Sequence, residues 1–249
     1  VRSRGLGDVY KRQSLKNALG KFPPIRLRAN GAIREWYEDY EEASPNHRHT
    51  SHLLALYPFN QISLTKTPEL ATGARKTIED RLSAPGWEDV EWSRANMICF
   101  YARLKDAANA HKSIGILVGD FARENLLSIS PAGIAGAPYD IFIFDGNAAG
   151  AAGIGEMLIQ SHEGYIEFLP CLPEQWNKGS YKGLCVRGGA EVSADWNNSV
   201  INYASVKATA ANSFSIKIPQ NKNKPYRILL NGKTIKTVPD THRIILEIK

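Results

Sequence analysis

Apolar residues recur at three-to-four spacing from about residue 14 to 165, the period of helices that bury one face. Thr67-Pro68-Glu69-Leu70 reads as a helix start, and the pattern runs through Ala71, Ala74, Ile78 and Leu82 until Pro85-Gly86 stops it. Further helices are predicted from about Trp92 to Leu104, Asn109 to Val118, and Gly146 to His162. Between the last two lies a long loop with Ser130-Pro131-Ala132-Gly133 and Gly136-Ala137-Pro138; long loops in compact domains are more often functional than idle.

After about residue 165 the period shortens to the alternation of strands, beginning with Tyr165-Ile166-Glu167-Phe168-Leu169-Pro170. Asn197-Asn198 punctuates this region, and Asn231-Gly232 within Arg227–Ile235 is a strong hairpin signal. Helices followed by strands predict an α+β chain, an all-α part and then a β-sandwich, with the boundary near residues 165–180. Residues 1–13 differ in texture and are expected to be a non-native scar, leaving 14–170 and 171–249 as the two domains.

Composition narrows the class. With 43% hydrophobic and 22% charged residues the chain fits a soluble globular protein, and no run approaches the roughly 18 apolar residues of a membrane helix. The net charge of +6 is carried by the ends. Residues 1–13 hold four basic residues against one acid and residues 217–249 eight against two, so the body is mildly acidic. The basic tail is spread through strand-like alternation without a nucleic-acid motif, which argues against nucleic-acid binding. Cys99, Cys171 and Cys185 each sit in apolar company and are expected to be buried free thiols; nothing in the spacing asks for a Cys171–Cys185 bridge.

Three groups can carry chemistry. Asn46-His47-Arg48-His49-Thr50-Ser51-His52 packs three histidines and an arginine into six residues, a set suited to sugar hydroxyls. Zinc at His47-x-His49 and plain structural hydrogen bonding are the other readings of that cluster, and Arg48 would repel a cation. Trp36, Trp87 and Trp92 are candidate stacking platforms for sugar C–H faces, or simply core. Asp145-Gly146-Asn147 follows the apolar run Ile141-Phe142-Ile143-Phe144, read as a buried segment, and opens a helix rich in small residues. Its aspartate is either a helix cap or an ionisable group for acid/base work. No Gly-x-Ser-x-Gly elbow or phosphate-binding loop is present.

Taken in order, a longer series resembles glycoside hydrolase family 95, the inverting α-L-fucosidases and their α-L-galactosidase relatives. Its landmarks are Glu35-Trp36-x-x-Asp39, His47-Arg48-His49-x-Ser51-His52-Leu53-x-x-Leu56-Tyr57-Pro58, Gly86-Trp87, Ala102-Arg103-Leu104 and Asp145-Gly146-Asn147. Ala152-Gly153-Ile154-x-Glu156-Met157-Leu158, Leu169-Pro170-x-Leu172-Pro173-x-x-Trp176 and Gly183-Leu184-x-x-Arg187-Gly188-Gly189 continue it to about residue 200.

The resemblance implies the second half of an (α/α)6 barrel followed by a C-terminal β-sandwich domain. It implies hydrolysis of a terminal α-linked L-fucose, or a related sugar, with inversion. Asp145 matches the aspartate that supports the base function, and Arg48 and His49 match residues that hold the sugar, with His47, Trp92 and Asn147 around it. Tyr139 stands where the family has a sugar-contacting histidine, and Ala148 where it has a phenylalanine. The family's general-acid glutamate and two asparagines precede the matched region, so the expected partner is a missing N-terminal half, and the fragment alone is expected to be inactive. No metal or other cofactor is implied, the substrate is a glycan, neither nucleic acid nor membrane is a partner, and the family suggests an exported, extracellular or periplasmic bacterial enzyme. Other readings are a different six-hairpin glycosidase, a disaccharide phosphorylase, or a non-catalytic carbohydrate-binding remnant.

Overall fold

Local signals mark the starts of three of the helices in the first part of the chain. The computed structural model describes residues 6–217, 226–238 and 243–248. Residues 1–5 of the expected scar lie outside these, while α1 (Leu6–Leu19) runs across the change of texture at residue 13 and is solvent-exposed from Val9 onward. Residues 20–66 hold little regular structure, only an isolated bridge between Leu27 and Ile33 and a short 3-10 turn at Ser51–Leu53. That segment is tied down by charge: Arg28 bonds Asp39 and Glu42, each at 3.0 Å, and buried Arg81 reaches Glu42 at 3.0 Å.

Pro68 opens α2 (Pro68–Ser83), which buries Ala71, Ala74 and Ile78 as its spacing predicts. α3 (Glu91–Arg103) starts where Ser93 Oγ accepts from the Val90 amide and donates back to the Val90 carbonyl, both at 3.0 Å. Asp106 caps α4 (Ala107–Asp120) by accepting from the Asn109 amide at 3.2 Å. A hairpin of two-residue strands, β1 (Ile129–Ser130) and β2 (Ile141–Phe142), then leads into α5 (Phe144–Leu158).

α3 is the hub, buried on nearly every side, and α5 lies close against it because glycine faces it at regular helical intervals. A Cβ on Gly146 would meet Glu91 Cγ and Ser128 at 2.8 Å, and one on Gly153 would meet Ile98 Cγ2 at 2.6 Å. On the α4 side, a Cβ on Gly150 would meet Leu117 Cδ2 at 2.8 Å. The small residues after Asp145 are therefore a packing surface.

Two features differ from the sequence reading. The run Ile141–Phe144 is not buried: Phe142 is 53% and Phe144 66% exposed, because β2 pairs only with β1 and no layer covers it among the described residues. The last helix stops at Leu158 rather than His162, since Ile159 turns extended to pair with Phe168.

That pairing begins the β part. β3 (Ile159–Gln160), β4 (Ile166–Phe168), β8 (Asn212–Lys217) and β11 (Arg243–Ile248) form one sheet, with β4 and β8 parallel and the other pairs antiparallel. β5 (Gly179–Val186), β6 (Ala190–Asn197) and β7 (Val200–Ala208) form an antiparallel meander. Ile166, Phe168, Phe214 and Ile216 of the first sheet share one apolar cluster with Val186, Val192, Ala194 and Ile201 of the second. Each valine, isoleucine and phenylalanine among them contributes about 1.5–3 kcal/mol through burial. The predicted hairpin joins β9 (Tyr226–Leu230) to β10 (Lys233–Val238), with Asn231 and Gly232 both at positive φ as a two-residue turn requires.

The two parts interlock. Cys171 and Trp176 pack back against the helical core, and Lys105 after α3 shares Glu167 with Lys217, at 2.6 and 2.7 Å. Burial works against the Glu167 charge, but the two lysines outweigh it and hold its pKa below the usual range. Cys99 and Cys171 are buried free thiols, whereas Cys185 is exposed because it falls on the outward side of β5.

Candidate active site

Asp145 lies in the first turn of α5, and Ile143, not Asp145, occupies the cap position. The aspartate is exposed, and its carboxylate forms no hydrogen bond or ion pair among the described residues. Capping therefore does not account for it. It stands at the positive end of the α5 dipole. Trp92, Asn96, Ile143, Ala148 and Ala149 join Asp145 around a cleft of about 390 Å³, within the ~300–1,000 Å³ of small-ligand sites. A second cavity, of about 300 Å³, lies where the helices meet the sheets, and its one lysine, Lys105, is already engaged by Glu167.

The histidine loop reaches the same place by docking on the turn between α2 and α3. Asn46 donates to the Gly86 carbonyl at 3.0 Å and accepts through its own carbonyl from the Glu88 amide at 2.9 Å. Arg48 Nη1 donates to Glu88 Oε2 at 2.8 Å, which holds the Glu88 carboxyl below the usual range. His47 and His49 stack with ring centroids 4.7 Å apart, and His49 meets Trp92 edge-on at 5.0 Å. Trp92 thus belongs both to the His47–His49 group and to the Asp145 cleft. Partial burial, then the neighbouring His47 and Arg48, lower the His49 pKa, so its ring is neutral at pH 7 and can both donate to and accept from a hydroxyl.

Two expected site residues are placed otherwise. Asn147 Oδ1 accepts from the Ser128 amide and hydroxyl, both at 2.9 Å, while its Nδ2 donates to the Leu126 carbonyl at 2.7 Å. The side chain thus clamps the loop to the start of α5. Tyr139 is 77% exposed and is not among the residues around the cleft. Of the other tryptophans, Trp36 is exposed, and Trp87 packs on the helical core beneath the Arg94 guanidinium, 4.9 Å from its ring.

Sequence reasoning missed Glu88 and Glu91. Glu91 has no exposed surface, and neither of its oxygens has a hydrogen-bond partner among the described residues. Burial raises its pKa; the amides of Glu91 and Trp92 and the Ser130 hydroxyl, near but not in bonding geometry, oppose the shift, and the charge of Asp145 adds to it. A carboxylate at a helix start gains only about 1 kcal/mol from the dipole, short of the several kcal/mol that desolvation costs. The available signal was an acid set between Val90 and Trp92 at the head of a largely apolar helix.

Comparison with known sequences decides the kinship. The model of the glycosyl hydrolase family 95 catalytic domain matches residues 6–158, and that of the glycoside hydrolase family 95 C-terminal domain matches residues 160–248. The chain belongs to glycoside hydrolase family 95. It is 37% identical over 185 residues to alpha-L-fucosidase 2 of Arabidopsis thaliana, covering 72% of this chain and 21% of that protein. It is 30% identical over 212 residues to the probable alpha-fucosidase A of Aspergillus niger, covering 75% of this chain and 25% of that protein. The Aspergillus oryzae probable alpha-fucosidase A is 24% identical over 200 residues, 73% of this chain and 27% of its own length. The family 95 chain thus spans about a quarter of the length of the curated relatives it matches.

Proposed function

We propose that this family 95 chain is the C-terminal portion of an inverting exo-glycosidase that removes a terminal α-linked L-fucose, or a closely related sugar, from glycans. The observation that carries the reading is the shared position of Trp92, against His49 on one side and around the cleft of the unpartnered Asp145 on the other. In this reading the sugar's C–H face lies on Trp92, His49 and Arg48 hold its hydroxyls, and Asp145 supports the base that activates water. Inversion needs an acid on the leaving oxygen and a base across the ring, so that water fits between them. The acid is contributed by residues upstream of those matched here.

The same reading takes α2–α5 as half of an (α/α)6 barrel and the two sheets as a β-sandwich. It explains the large apolar side chains left bare between α4 and the first turn of α5, Leu126, Tyr139, Phe142 and Phe144, as surface that the rest of the barrel covers. No lysine or arginine among the described residues lines the cleft, and Arg48 beside it is already paired with Glu88, which favours water over phosphate as co-substrate. An extracellular or periplasmic address is part of the proposal.

The test is release of p-nitrophenol from its α-L-fucoside by the 249-residue chain and by the complete polypeptide, with the anomer of the first-formed sugar read by NMR. Activity confined to the complete polypeptide, with β-L-fucose formed first, is expected. Retention of the anomer, or no turnover of any α-L-fucoside or α-L-galactoside, would contradict it.

A further inference from the structure

Glu91 is the polar group near the cleft that packing explains least. It sits in the first turn of α3 with no exposed surface, and both carboxyl oxygens are buried without a hydrogen-bond partner among the described residues. Its stem packs beneath the start of α5, where a Cβ on Gly146 would lie 2.8 Å from Glu91 Cγ. Glycine directly after Asp145 is what leaves it room. Asp145 and Gly146 face Glu91 from α5, and Ser128 and Ser130 from the loop and β1; no lysine, arginine or histidine among the described residues forms an ion pair with it.

A side chain needed only to fill this volume would do so better as leucine or glutamine, since a desolvated, unpaired acid is destabilising. We propose that Glu91 is a positioning residue for Asp145: a second carboxyl group, buried without partners directly beneath the start of α5 and kept at the expense of stability, that feels the charge of Asp145 in the turn above it. The functional meaning rests on Asp145 being the base-side carboxylate; the coupling itself does not. Two carboxyl groups that feel each other's charge do not both ionise freely. Burial first, and the charge of Asp145 with it, favour the protonated form of Glu91 behind the cleft.

The experiment is a 13C-carboxyl NMR titration of the chain, with thermal unfolding at neutral pH alongside. Glu91 should titrate above the exposed glutamates, and Asp145→Asn should lower its midpoint towards theirs. Glu91→Gln should raise the Tm, as removing an unpaired buried acid must. A Glu91 midpoint unmoved by Asp145→Asn overturns the proposal, as does a Glu91→Gln chain less stable than the original. Neither readout needs substrate. Coupling found in a complete polypeptide without glycosidase activity would overturn the proposed function and leave the pair standing, whereas an active enzyme without coupling would overturn the pair alone.

Discussion

The indole of Trp92 meets the imidazole of His49 edge-on, with ring centroids 5.0 Å apart and planes at 75°, and the same indole forms part of the cleft that holds Asp145. A loop far upstream and a helix start far downstream thus meet at one side chain. Trp92→Ala in the complete polypeptide should lower kcat/KM by about ten- to a hundredfold, through loss of the stacking face and of the support for His49. Trp92→Phe should recover part of that loss. Steady-state kinetics on p-nitrophenyl α-L-fucoside checks both.

Gly153 and Gly155 lie on the same helix but face different surroundings. A Cβ at 153 would come 2.6 Å from Ile98 Cγ2 and 3.2 Å from the Cys99 amide nitrogen, whereas one at 155 would meet nothing within 4 Å. Gly153→Ala should therefore destabilise by about 1–3 kcal/mol despite alanine's helix propensity. Gly155→Ala should stabilise by up to about 1 kcal/mol. Urea unfolding of the two variants side by side reads the difference.

Arg103 and Glu156, both within the matching landmarks, form an ion pair between a buried guanidinium and a half-buried carboxylate, and not a ligand site. Arg103 Nε and Nη2 donate to Glu156 at 2.7 and 3.0 Å, and Nη1 donates to the Leu56 and Phe59 carbonyls at 3.3 and 3.1 Å. Arg103→Ala strips the Leu56 and Phe59 carbonyls and the half-buried Glu156 carboxylate of their donor, so it should cost about 1–3 kcal/mol. Arg103→Lys should rescue little, because an ammonium cannot reproduce the planar fork. Thermal unfolding of both variants tests this.

Stability should fall on both sides of a mid-range pH. His162 is buried, and burial followed by the Arg103 charge lowers its pKa to about 4 from the ordinary 6.5. The unfolded chain binds its proton first, so as pH falls from about 6.5 towards 4 the fold loses up to about 3 kcal/mol. Glu91, with its pKa raised, has the opposite sign: its contribution is full below the ordinary 4.5 and is lost as pH rises through its folded value. His162→Gln should flatten the acid slope and Glu91→Gln the other. Denaturant midpoints measured across pH 4–8 for the three chains check the signs.

Much of this was legible in sequence where one local rule dominated. Pro68 and the spacing Ala71, Ala74, Ile78 located α2, and Asn231-Gly232 located the β9–β10 turn. What sequence did not show depended on distant neighbours. Ile141–Phe144 reads as buried by composition alone, yet nothing among the described residues covers it. Asp145 reads equally as a cap, and only the helix start at Phe144 moves it off that position. Asn147 has the chemistry of a sugar ligand, but Ser128 and Leu126 use it first. Glu91 resembles an ordinary solvated acid in a first turn until Gly146 and Ser128 close over it.

Asp145 carries the proposed chemistry, and the measurement that tests it is kcat for Asp145→Asn in the complete polypeptide, with circular dichroism to show an unchanged fold. Asparagine keeps the shape and removes the charge, so kcat should fall by at least about 10²–10⁴, the usual contribution of acid/base assistance. A variant that keeps its fold and works within a few-fold of the unmodified enzyme would contradict the assignment of Asp145 and of the cleft built around it.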